Sequence, residues 1–140
     1  MIISIEQHDD KTTIYVTNSK TIEIQKSIEI VLRELCFRNL FSLEGYIKSL
    51  RLIFPKTKKI PLYINKLLIL IPIHPKKVGK QIYINYFALK KYETTQKGVL
   101  IHLVDEKIYR YFQSADSFSS LLEKAKDLII YKDELSCYDI

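Results

Sequence analysis

Residues 59–74 read KIPLYINKLLILIPIH. Pro61 to Ile64 and Leu67 to Ile71 are short apolar runs, and Asn65-Lys66 between them suits a tight turn. The stretch therefore predicts an antiparallel hairpin. The apolar run from Leu67 to Ile73 is far shorter than the roughly 20 residues of a membrane helix. A hairpin reverses the chain once, so the segments that enter and leave it emerge from one end. Those segments are Pro55 to Lys59 and His74 to Lys80, and both are basic.

Upstream, Ser49 to Phe54 is apolar and reads as extended. Ser42-Leu43-Glu44-Gly45 breaks a helix or starts a short one. Ile28, Val31, Leu32, Leu35, Cys36 and Leu40 follow at helical spacing, with Ser27 as N-cap and Glu29 in the first turn. Cys36 falls on that apolar stripe and reads as a buried small hydrophobe. Ile2 to Ile5 and Thr12 to Thr17 form a hairpin around His8-Asp9-Asp10-Lys11, and Thr21 to Ile24 adds a third strand. Downstream, Gln81 to Phe87 alternates, with Ile82, Ile84 and Tyr86 on one face and Tyr83 and Asn85 on the other. Val99 to Val104 and Lys107 to Phe112 make a hairpin around Asp105-Glu106. A last helix, capped by Ser117, buries Phe118, Leu121, Leu122, Ala125 and Leu128. The expectation is an α+β fold: an antiparallel β-sheet built from hairpins with two main helices, in a single domain. That domain covers residues 1–131, and 132–140 reads as a short polar C-terminal tail.

The 140 residues suffice for a core without staples. Cys36 and Cys137 are the only cysteines, which excludes a disulfide scaffold and a zinc finger. With no visible secretory signal, a cytoplasmic protein is expected. Charge is uneven. From Gly45 to Tyr92 there is no Asp or Glu, while 11 Lys and Arg give that stretch +11. Subtracting this from the total of +6 leaves −5 on the other 92 residues. A basic middle between acidic ends points to a polyanionic partner.

Catalytic patterns fail to appear. His8, His74 and His102 show no metal spacing and no nucleophile motif beside them. Gly45, Gly79 and Gly98 start no phosphate cradle. The expectation is a non-enzyme with no cofactor and no metal. What remains is a lysine surface: Lys56, Lys58, Lys59, Lys76 and Lys77 on one edge with Lys80 nearby, extended by Lys48 and Arg51. Lysines neutralise phosphates without reading bases. The chain has four arginines, too few for extensive guanine readout in the major groove. Backbone contact and a narrow A·T minor groove suit this surface better. The predicted helices are not basic enough for a membrane surface, so no membrane partner is expected.

From about Ile28 to Leu128 the order of motifs resembles the ComK competence transcription factor family. Cys36 stands at the Cys of a Cys-Arg/Lys-Phe segment, and nine positions on, Gly45 meets a Gly-Arg/Lys segment. Lys59-Ile60-Pro61-Leu62 corresponds to Lys-Pro-Pro-Ile, and Ile71-Pro72 to a strand ending in Phe-Pro. Tyr83-Ile84-Asn85 matches a Trp-Ile/Leu-Asn element, while Ser114, Ser117 and Phe118 match a Ser-rich helix entry. The chain departs at Gly45-Tyr46-Ile47-Lys48, where the first base is missing, and at Tyr83, which replaces Trp. The resemblance implies a transcription activator that binds A-run and T-run boxes through the minor groove. It also implies a homo-oligomer and an adaptor that delivers the protein to a protease.

The first expectation is thus a DNA-binding regulator using Lys48, Arg51, Lys56, Lys58, Lys59, Lys76, Lys77 and Lys80 on AT-rich double-stranded DNA. The alternative is an interaction module of the same fold that binds a regulator or adaptor without activating transcription, through tyrosines such as Tyr83, Tyr92 and Tyr109.

Overall fold

A computed structural model describes residues 1–55, 59–74 and 80–136, the last three of these as backbone only. The hairpin of residues 59–74 forms as the sequence suggests. Strand β4 (Leu62–Asn65) pairs antiparallel with β5 (Leu68–Pro72), Leu62 opposite Leu70. Before them stand β1 (Ile2–His8), β2 (Lys11–Val16) and β3 (Lys20–Ile24), then α1 (Ile28–Arg38) and α2 (Leu43–Ile53). After them come β6 (Lys80–Asn85), a 3-10 turn at Tyr86–Ala88, β7 (Leu89–Thr95), β8 (Gly98–Leu103), β9 (Ile108–Tyr111) and α3 (Ala115–Ser136). The strands make one six-stranded sheet, ordered β3-β2-β1-β6-β5-β4, and one three-stranded sheet, β7-β8-β9. Every pairing is antiparallel. The α+β class with hairpin-built antiparallel strands is therefore what the chain adopts.

Alternation divides the core into two layers. Ile5, Ile14, Leu62, Ile64, Leu68 and Leu70 point to the face covered by α1, where Ile28, Val31, Leu32 and Cys36 meet them. Ile69, Ile71, Ile73, Ile82 and Ile84 point the other way, toward the small sheet and α3, and pack with Val99, Ile101, Leu103, Tyr111 and Phe118. β5 is buried on both faces, which is why its sequence is continuously apolar. Each such Ile or Leu contributes about 1.5–3 kcal/mol of burial. Cys36 is fully buried, and its thiol is pushed up to about 11, chiefly by burial and further by the Glu44 charge.

Three expectations are corrected. Ser49–Phe54 is not extended: Ser42 caps α2 by accepting from Gly45 N at 3.0 Å, and the helix runs to Ile53. Among the described residues the α-helices are α1, α2 and α3. Ser117 does not cap α3; it donates its N–H to Ser114 Oγ at 3.1 Å, so Ser114 occupies that role. The helix also continues past Tyr131 to Ser136, into the segment read as a polar tail. Ser27 does sit at the start of α1, but its side chain makes no cap bond. Gln7 Oε1 from β1 accepts from Ile28 N at 2.8 Å instead.

Polar side chains tie the layers together. Ser4 Oγ and Tyr109 OH are 2.8 Å apart, and His8 Nε2 is 2.8 Å from the Glu6 carboxylate. Burial alone would raise the Glu6 carboxyl, but the Tyr109 hydroxyl, His8 and Lys107 outweigh it and hold it below its usual value.

Candidate nucleic-acid interface

The roots of the two basic loops lie side by side because β4 and β5 pair. Lys59 and Ile60 lead into β4, and His74 follows β5. Together with Gln81 and Tyr83 of β6, and with Ile47 and Arg51 of α2, they line a cleft of about 400 Å³. Arg51 reaches this cleft only because Ser49–Phe54 is helical. Ile47 and Arg51 are one turn apart, and Leu50 is buried beneath them. Lys48 is exposed, three residues before Arg51 and so within about 60° of it around the helix.

The cleft is not uniformly basic. Glu29 of α1 lines it too, with its carboxylate 2.9 Å from Arg33. The Lys59 ammonium lies 5.1 Å from the Tyr111 ring centroid, a cation–π contact at the end of the sandwich. His74 Nδ1 is 3.1 Å from the Ile82 carbonyl oxygen and 3.2 Å from its nitrogen. Burial pulls the His74 ring below its usual value, the Ile82 bond opposes this, and the Lys59 charge adds to the lowering. His74 is thus neutral at neutral pH and adds no charge to the site.

Of the eight expected contact residues, Arg51 and Lys59 line the cleft, the Lys59 ammonium lying over Tyr111 of the other core layer, and Lys48 is on the same helix as Arg51. Lys80 is on the other face: it alternates with Gln81 and shares the parity of Ile82 and Ile84, which enter the opposite core layer. Lys56, Lys58, Lys76 and Lys77 lie outside the described residues. Two of the tyrosines expected at an interface are buried or mostly so. Tyr109 bonds Ser4, and Tyr83 packs edge-on to His74 at 4.9 Å between ring centroids. Tyr92 alone of the three is exposed. Asn85, on the same strand face as Tyr83, is fully buried and faces neither solvent nor a partner. The helical register of Arg51 was the signal missed. Leu43, Tyr46, Ile47 and Leu50 recur at helical spacing behind a Ser cap.

Among the described residues no cluster of His, Cys, Asp and Glu could hold a metal, and no helix is long and apolar enough to cross a membrane. The arrangement defines a small α+β domain with a partly basic cleft at one end of its main sheet. Comparisons with protein-family models, curated proteins and solved structures return no match.

Proposed function

We propose that the protein is a cytoplasmic DNA-binding transcription regulator of the ComK type that grips the phosphates of AT-rich duplex, through the minor groove, with its lysine-rich loops. One observation carries this reading. The β4–β5 hairpin sets Lys59 and His74, the roots of two basic loops within an acid-free, +11 stretch, at one end of the sheet, where they line a cleft with Arg51. Lys48, Arg51 and Lys59 bind from the described framework, and Lys56, Lys58, Lys76 and Lys77 from the loops. Lys80 contributes only where a partner wraps past the sheet end.

The test is binding to AT-rich duplex across salt. A log–log slope near −0.9 is expected per phosphate. Four contacts then weaken affinity roughly 150-fold between about 50 and about 200 mM salt. The variant K58E/K59E/K76E/K77E should lose binding; unchanged affinity rejects the reading. A second reading, a module that binds a regulator or adaptor protein, is favoured by Leu52, which is 88% exposed on α2 next to Arg51. Such a largely apolar contact would show little salt dependence.

A further inference from the structure

The end of α1 holds a leucine where folding gains nothing from it. Leu40 has φ +67°, a left-handed backbone that glycine or asparagine adopts with less strain. The helix closes there by two bonds: Phe41 N donates to Cys36 O at 3.1 Å and Leu40 N to Phe37 O at 3.0 Å. Burial would justify a leucine at this position, yet Leu40 is 94% exposed. Asn65 Nδ2 donates to Asn39 Oδ1 at 3.1 Å, which ties this helix end to the β4–β5 turn. In that turn Leu67 N donates to Asn65 Oδ1 at 2.8 Å, and the Leu67 side chain is 76% exposed. Phe37, one turn back on α1, is 62% exposed. Arg38 and Lys66 flank these apolar groups. Both are exposed, and no ion pair among the described residues engages them.

We propose that this corner docks a segment of another protein that combines Leu- or Phe-type side chains with Asp or Glu. The strained, solvated leucine supplies an apolar anchor, and the two exposed cations, without an ion pair among the described residues, select acids at its rim. A second copy of the chain fits less well, because a two-fold contact sets Arg38 and Lys66 of both copies against one another. The corner is separate from the nucleic-acid surface, since Leu67 and the basic loops occupy opposite ends of the β4–β5 hairpin.

The test selects peptides from a displayed random library on the full-length chain. Affinities of the enriched peptides are then measured by fluorescence anisotropy on wild type, L40N, R38E and K58E/K59E/K76E/K77E. Asparagine accepts the left-handed backbone, so L40N keeps the fold, and thermal unfolding verifies it. Peptides mixing Leu or Phe with Asp or Glu are expected, weakened at least about tenfold by L40N and by R38E and unaffected by the quadruple variant. No peptide sensitive to L40N, peptides without acids, peptides indifferent to R38E, or peptides lost with the quadruple variant would each overturn the proposal. A concentration-dependent dimer dispersed by L40N would also overturn it and assign the corner to a second copy.

Discussion

Asn85 has every side-chain hydrogen-bonding position filled. Nδ2 donates to Ile2 O at 2.8 Å and Leu67 O at 3.1 Å, while Oδ1 accepts from Ile69 N at 3.3 Å and Phe87 N at 3.2 Å. One amide thus joins the first strand, the β4–β5 turn, β5 and the start of the 3-10 turn. Asn85→Ala strands buried backbone groups and should destabilise the fold by about 3 kcal/mol, read from the urea midpoint. Leu40 predicts the opposite sign. Leu40→Gly relieves a left-handed leucine that buries little, and should stabilise by about 1 kcal/mol in the same measurement. The sequence showed that Asn85 points away from Ile82 and Ile84, but not that it is buried. Its partners come from positions 2, 67, 69 and 87, and no local pattern reports that convergence.

At the scale of elements, the two edges of the large sheet are treated differently. On β4, the Tyr46 hydroxyl of α2 donates to Pro61 O at 2.6 Å and accepts from Tyr63 N at 2.9 Å, which satisfies edge groups that have no strand beside them. Burial pushes the Tyr46 hydroxyl up to about 12, against the Tyr63 bond, so it stays protonated and able to donate. Tyr46→Phe should cost about 2 kcal/mol and speed hydrogen exchange of the Tyr63 amide. An unchanged exchange rate would show that the hydroxyl does not close this edge. α2 was hard to read because Leu52 and Ile53 add apolar residues outside the stripe of Leu43, Tyr46, Ile47 and Leu50, so the helical period is blurred into a run. β7 gave almost no signal for a different reason. It is an outer strand of a small sheet, and Leu89–Thr95 is largely exposed. The hairpins at β1–β2, β4–β5 and β8–β9 were legible, because each pairs strands across a short polar turn.

At the scale of the whole molecule, Tyr109 of β9 links the small sheet to β1, bonding Ser4 and acting with His8 and Lys107 to lower the Glu6 carboxyl. Because its folded carboxyl lies below the usual value of 4.5, Glu6 contributes stability that is fully present above that pH. This contribution is lost as pH falls through the folded value. Glu6→Gln should therefore lower the melting temperature at pH 7 and flatten the pH dependence below about 4.5; parallel wild-type and variant profiles would exclude the link. The basic cleft and the Leu40 corner sit at opposite ends of one hairpin. The sequence pointed to the first through charge and the hairpin together, without the helical register of Arg51, whereas the second depends on a backbone angle that composition does not encode.

The position of β1 has a consequence for biosynthesis. It is a central strand, paired with β2 on one side and with β6 on the other, Ser4 opposite Ile84. At translation speeds of roughly 5–20 residues per second, about 4 to 16 s separate the synthesis of these two partners. Throughout that interval one flank of the nascent meander stands bare, a template for wrong neighbours until its own arrives.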